Sequence, residues 1–362
     1  MKMKNEINPY TPAFGTPPTA YIHREQIENQ IMNEFCGPGS VPMSYMIIGA
    51  RGTGKTVLMH EIANRFETSA DWVVARMNPN VDMLDSLLHK LAGHKKAAPA
   101  IKSAKINLAF FGLTVDFSTP QIKDVEEAIA EIVKGLRDNE KRLLIIVDEA
   151  TNTASMKKFA SAYQNLIGQK LPVYLLMTGL YENISRLKNE KNLTFLYRMP
   201  RILLSPLSLN RIRENYMNTL EVDVAAAEMM ADITKGYSYG FQLLGKLTWD
   251  NRGEYTEILE TYRSTLYEMV YEKIWEEMSD TDKYVMFCAA TTEGTRVTDI
   301  RKAAGQNTNL FSTYKDRLIK KGLLHSSRYG HVEIALPFFK GFILQRYEGR
   351  RLARSEDLPD DL

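Results

Sequence analysis

The stretch YMIIGARGTGKTVLMHEIANRF, residues 45–66, constrains this chain more than any other. An apolar run of strand length meets a glycine-rich turn, and the turn opens an amphipathic helix. The turn matches the pattern G-x-x-x-x-G-K-[ST] and has the strand before it and the helix after it that the pattern requires. Its glycines reach backbone conformations closed to other residues, so N–H groups can turn toward phosphate oxygens. The backbone of Gly49, Ala50, Arg51, Gly52, Thr53 and Gly54 is the expected phosphate cradle. The positive N-terminus of the next helix, at Lys55, Thr56 and Val57, extends it. Lys55 is placed to neutralise the β- and γ-phosphates, and Thr56 to hold Mg²⁺.

A strand of this kind needs neighbours, and the chain supplies them. WVVAR (72–76), LLIIV (143–147), LPVYLLMTG (171–179) and RILLSPLS (201–208) read as strands, separated by helical stretches at 81–92, 122–137 and 154–168. Alternating strands and helices predict an open parallel sheet. The run KRLLIIVDEA is continuously apolar before its acids, as a strand buried on both faces should be. It delivers Asp148 to the carboxyl end of the sheet, where it can hold the Mg²⁺ water shell. Glu149 beside it can polarise an attacking water, or be only a solvated acid. Thr178, at the end of the adjacent strand, can hydrogen-bond a γ-phosphate or the water, or else cap the next helix. Residues 101–117, IKSAKINLAFFGLTVDF, alternate about Gly112 and read as an inserted β-hairpin. Packing is the better reading of its Phe110–Phe111 pair.

These features predict five segments. Residues 1–43 form an extended, proline-rich segment and a helix. Residues 44–208 form the α/β core, 209–275 a small helical domain, 276–350 a further module, and 351–362 a tail. In the fourth, three helices (281–291, 298–304, 309–321) precede two short strands (323–325, 331–335) and a closing helix. That is the order of a winged helix-turn-helix.

Charge singles out the same module. The whole chain carries 46 Lys and Arg against 44 Asp and Glu, yet residues 301–354 hold twelve bases and three acids. This footprint predicts a DNA partner for residues 295–335. Asn307, Asn309, Ser312 and Thr313 are the candidates to meet base edges, and Lys315, Lys320, Lys321 and Arg328 to meet phosphates. Leu310, Phe311, Tyr314, Leu318 and Ile319 should face the module's core. No run approaches 18 apolar residues, so no membrane partner is expected, and a cytoplasmic protein is. The two cysteines, Cys36 and Cys288, are far apart and fit neither a disulfide framework nor a zinc site.

With these residues in view, the sequence resembles the AAA+ ATPases of the P-loop class. The likeness is to the branch of the origin-recognition and Cdc6 proteins and their signalling (STAND) relatives. NPYTPAFGTPPTAYIHREQIENQI (8–31) is similar to the family's N-terminal box, with His23-Arg24-Glu25 at its end. The resemblance implies that this segment, with Arg24, lies over the adenine of ATP. FLYRMPRILLSPLSLNRI (195–212) resembles the passage to the lid. It implies that Arg198 reaches a neighbour's γ-phosphate in a homo-oligomer, although Arg201 could serve equally. ITKGYSYGFQLLGKLTWD (233–250) resembles the lid helix, but no arginine stands where origin-binding members carry one. Slow hydrolysis is the implied consequence. Three functions fit: an ATP-dependent DNA-binding switch or loader, a signalling ATPase docking a protein partner, or an ATPase subunit of a mobile-element or phage-defence system.

Overall fold

The computed structural model describes residues 7–13, 18–37, 39, 43–104, 124–190, 193–326 and 328–356. Two compact units divide them. One holds residues 23–48 and 55–204; the other holds residues up to 22, the loop 49–54, and residues from 205 onward.

The first unit is built on five parallel strands. They are β1 (Ser44–Ile48), β2 (Trp72–Met77), β3 (Arg142–Val147), β4 (Val173–Gly179) and β5 (Arg201–Leu203), in the order β2-β3-β4-β1-β5. Every pairing is parallel, and β1 runs beside β4 with Ile47 opposite Thr178. The inner strands β1, β3 and β4 are buried along almost their whole length. That burial accounts for their unbroken apolar sequence. Side chains alternate across the sheet, so each strand feeds two cores. Ile145 and Leu175 join one; Leu144, Tyr174 and Trp72 join the other with Phe35 and Phe66. The edge strand β5, paired with β1, ends after three residues, shorter than its sequence suggests.

The inserted hairpin expected at 101–117 does not begin as one. Ala98–Ala104 is a helix. Small residues explain it: Ala97, Ala100 and Ile101 are buried, and a methyl group on Gly135 would sit 2.6 Å from the Ala100 carbonyl. The helix Val125–Asp138 therefore admits this one at close range. The rest of the expected hairpin, with Phe110 and Phe111, lies outside the described residues.

In the second unit, helices occupy most of residues 209–277, the first of them Leu209–Leu220. The N-terminal segment belongs with them. Tyr10 is buried against Tyr216 and Phe241, with ring centroids 5.9 Å and 5.6 Å away. The amide of Gln242 donates to the Ala20 carbonyl at 2.6 Å, and its oxygen accepts from Thr11 N–H at 3.0 Å. The last of these helices is continuous from Leu259 to Glu277, with a π-helical turn at Tyr267–Tyr271.

Then come helices Asp280–Thr291, Val297–Ala303 and Thr308–Lys320, an antiparallel pair β6 (Leu324–His325) and β7 (Glu333–Ile334), and helix Phe339–Glu356. Phe311 and Leu318 are buried and Tyr314 is packed on the same core. Leu310 is not: it is 43% exposed. It stands one position off the 311–314–318 stripe and so turns outward.

Asp282 is fully buried in this module. Its carboxylate accepts from the Arg317 guanidinium and, at 2.6 Å, from Lys321 Nζ. Lys321 is thus committed to an internal ion pair rather than left to meet phosphates. Replacing Asp282 by Asn removes the buried charge that Arg317 and the nearly buried Lys321 share. We expect a loss of about 3 kcal/mol of stability, read from the midpoint of denaturant unfolding. An unchanged midpoint would show that the cluster holds nothing together.

Candidate nucleotide site

The first unit gathers two of the predicted side chains, Thr56 and Thr178, and the Glu149 N–H around the carboxylate of Asp148. Helix Lys55–Thr68 starts with Lys55, which is buried, and Thr56. The Thr56 hydroxyl donates to Asp148 Oδ2 at 2.9 Å. The Thr178 hydroxyl donates to Asp148 Oδ1 and accepts from the Glu149 N–H at 3.1 Å. One residue on, Ala150 N–H donates to the Thr178 carbonyl at 2.8 Å. The ends of β3 and β4 are therefore stitched together through Thr178, which is fully buried. Its hydroxyl is committed to Asp148 and the Glu149 amide. It does not cap the next helix, and its hydroxyl proton is engaged by Asp148.

Glu149 is exposed and sits at φ 50°, in the left-handed region. A non-glycine residue there is uncommon and is held by its surroundings. Here the holding groups are Thr178 and Asp148. Glu149 thus stands at the carboxyl edge of the sheet, where ligands of open α/β sheets bind.

Thr56 and Asp148 together present a hydroxyl and a carboxylate, the hard oxygen donors that suit Mg²⁺. Among the described residues no group of three or more His, Cys, Asp or Glu gathers at one point. A two-ligand set fits a cation that draws its remaining ligands from phosphate and water.

Arg24 precedes helix Glu25–Cys36, and its N–H donates to Glu28 Oε1 at 2.9 Å. Glu28 is fully buried and also pairs with Arg65 at 2.5 Å. This carboxylate fixes the backbone at Arg24, a role that sequence reasoning missed. Its signal was a charged residue on the apolar face of a helix. Arg198, at the end of helix Thr194–Arg198, and Arg201 on β5 are both exposed. The structure joins neither to the Asp148 cluster.

The loop Gly49–Gly54 groups with the second unit. Gly52 and Gly54 have φ 72° and 86°, the conformations the motif requires of glycine. The Arg51 side chain forms a two-bond pair with Glu277, Nε–Oε2 3.2 Å and Nη2–Oε1 2.5 Å. That partner lies 226 positions away, and no local pattern announced it.

Known proteins are similar to this chain in sequence and fold. Residues 21–171 match a family model described as AAA ATPase domain, and residues 268–343 match one described as a domain of unknown function, DUF8462. No curated protein matches the sequence. A Walker-type ATPase of Pyrococcus abyssi superposes with a TM-score of 0.60 at 12% identity, covering 90% of this chain and 96% of its own. The Aeropyrum pernix ORC2 protein, solved as ADPNP–ADP complexes, gives 0.53 at 14% identity over 96% and 97% of the two chains. Its ADP form gives 0.51, also at 14% identity, over 94% and 97%. Residues 21–171 are thus similar to an AAA ATPase domain, and the chain shares its fold with these solved ATPase and ORC2 structures.

The Thr178 bridge is testable by itself. Thr178→Val keeps the shape but leaves the Glu149 N–H with a poorer partner and Asp148 short of a donor. We expect a stability loss of about 1–2 kcal/mol in urea unfolding. A midpoint equal to that of the unaltered chain would remove the bridge from the account.

Proposed function

We propose that this chain is an AAA+ ATPase that acts as a nucleotide-controlled DNA-binding switch or loader. The observation that carries the nucleotide half is the convergence of Thr56, Thr178 and Glu149 on Asp148. In this reading the backbone of residues 49–54 cradles the phosphates, and Lys55 neutralises them. Thr56 and Asp148 hold Mg²⁺, which when bound offsets the phosphates' negative charge. Arg24 lies on the adenine side. Glu149 orients and polarises water, and Thr178 keeps both acids in register. Arg198 and Arg201 are the candidates to act on a neighbour's site in a homo-oligomer.

Residues 276–350 are, in this reading, a winged helix-turn-helix. Its charge supports DNA as the partner. Arg296, Lys302 and Arg328 are exposed and make no ion pair among the described residues. Arg296 pairs with His331 across a β-bridge, and Val297 N–H donates to the Gly330 carbonyl at 2.9 Å. Arg296 and the Arg328–Gly330 turn therefore share one edge. The Asn307 side chain accepts from Leu310 N–H at 2.9 Å, so it caps its helix, which argues against a base contact. Exposed Leu310 and Tyr329 support the second reading, a signalling ATPase whose module docks a protein.

Salt separates the two. Binding to duplex DNA should fall steeply between 50 and 200 mM salt, by about tenfold or more for a few phosphate contacts, and should differ with and without ATP. Salt-insensitive or absent binding would favour the protein partner. For the chemistry, Glu149→Gln should retain ATP while turnover falls by about 10² or more. Turnover equal to that of the unaltered chain would refute Glu149 as the base.

A further inference from the structure

The glycine loop is held on its carbonyl side. Three consecutive carbonyls are taken by one turn of the second unit. Tyr237 Oη donates to the Arg51 carbonyl at 2.8 Å. Tyr239 N–H donates to the Gly52 carbonyl at 2.9 Å. Ser238 Oγ donates to the Thr53 carbonyl at 2.9 Å. In a planar trans peptide the C=O and the next N–H point opposite ways. Pinning these three carbonyls therefore directs the N–H groups of Gly52, Thr53 and Gly54 to the other side of the loop. Successive N–H groups aimed alike form an anion-binding nest.

The fit leaves no slack. A Cβ on Gly52 would stand 2.2 Å from Tyr237 Oη. Burial pushes the Tyr237 phenol well above its ordinary pKa, so it stays a donor through the physiological range. Beside this turn, Arg51 reaches Glu277, the last residue of helix Glu272–Glu277. That helix follows the π-helical turn Tyr267–Tyr271, a feature that concentrates at functional sites. Tyr271 in turn donates to the Pro337 carbonyl at 2.6 Å, ahead of the closing helix.

We propose that the Tyr237–Ser238–Tyr239 turn and Glu277 form a brace that holds the phosphate loop in its anion-binding form. Through Arg51 the C-terminal half of the chain then sets nucleotide affinity. Linkage makes the effect reciprocal: nucleotide in the loop favours the braced arrangement of Glu277 and the helices that follow it. Glu277 is a positioning residue here, acting on the loop through Arg51. The inference rests on the reading of residues 49–56 as a nucleotide site.

The test is a titration of the full chain with a fluorescent ATP analogue. Glu277→Ala and Arg51→Ala should each weaken binding by about fivefold, and the double variant no further. Arg51→Glu with Glu277→Arg should bind more tightly than either reversal alone, which loss of fold would not produce. Glu277→Gln substitutes where the alanine variant does not fold. If the unaltered chain and Lys55→Ala bind the analogue equally, the nucleotide reading itself fails. If Lys55→Ala abolishes binding while the Glu277 variant stays within about twofold of the unaltered chain, only the brace fails. Additive losses in the double variant would overturn the brace as well.

Discussion

The carboxylate of Asp148 is the point on which the carboxyl edge of the sheet is organised. It stands at the end of β3, a strand buried between β2 and β4. Such a strand has little freedom to slide, because all of its residues after Arg142 are buried. Asp148 leaves that strand with both oxygens assigned, one to Thr56 and one to Thr178. The left-handed backbone at Glu149 follows from the same constraint. Thr178 holds its N–H, and the chain turns there at a cost that the β3–β4 pairing supports.

A second constraint acts on the loop itself. Tyr237, Ser238 and Tyr239 stand at the start of helix Ser238–Asp250, and their hydrogen bonds go to loop carbonyls. Contacts on the carbonyl side answer to the shape of the loop.

The parts of this molecule legible in its sequence are those set by local pattern. The five strands, the glycine loop, Asp148 and the order of the C-terminal helices follow from periodicity, glycine placement and burial. What stayed hidden depends on partners far along the chain. Glu277 pairs with Arg51 across 226 positions, and Asp282 with Lys321 across 39. Glu28 reads as an ordinary helix acid until Arg65 is found beside it. The segment 101–104 misled for a local reason. Ile101 and Ala104 stand three positions apart, a helical spacing, and the neighbouring alanines and Gly135 make a close helix–helix contact possible. Thr178 was placed at the right strand end, yet its hydroxyl serves the acids beside it.

The C-terminal charge shows why counting bases differs from counting contacts. Twelve Lys and Arg crowd residues 301–354, and part of that charge is spent inside the fold. Arg317 and Lys321 neutralise a buried aspartate, and Lys315 lies 3.2 Å from Asp316. A buried acid needs such partners, because an unpaired charge in the core costs several kcal/mol. The helix 308–320 therefore meets its surroundings with less positive charge than its sequence carries. Arg296, Lys302 and Arg328, drawn from the preceding helix and the β6–β7 turn, keep theirs at the surface. Electrostatic attraction to a polyanion would be strongest along that edge rather than along the third helix. A partner read mainly by charge would be bound there with little sequence preference, since phosphate contacts position a nucleic acid without identifying its bases.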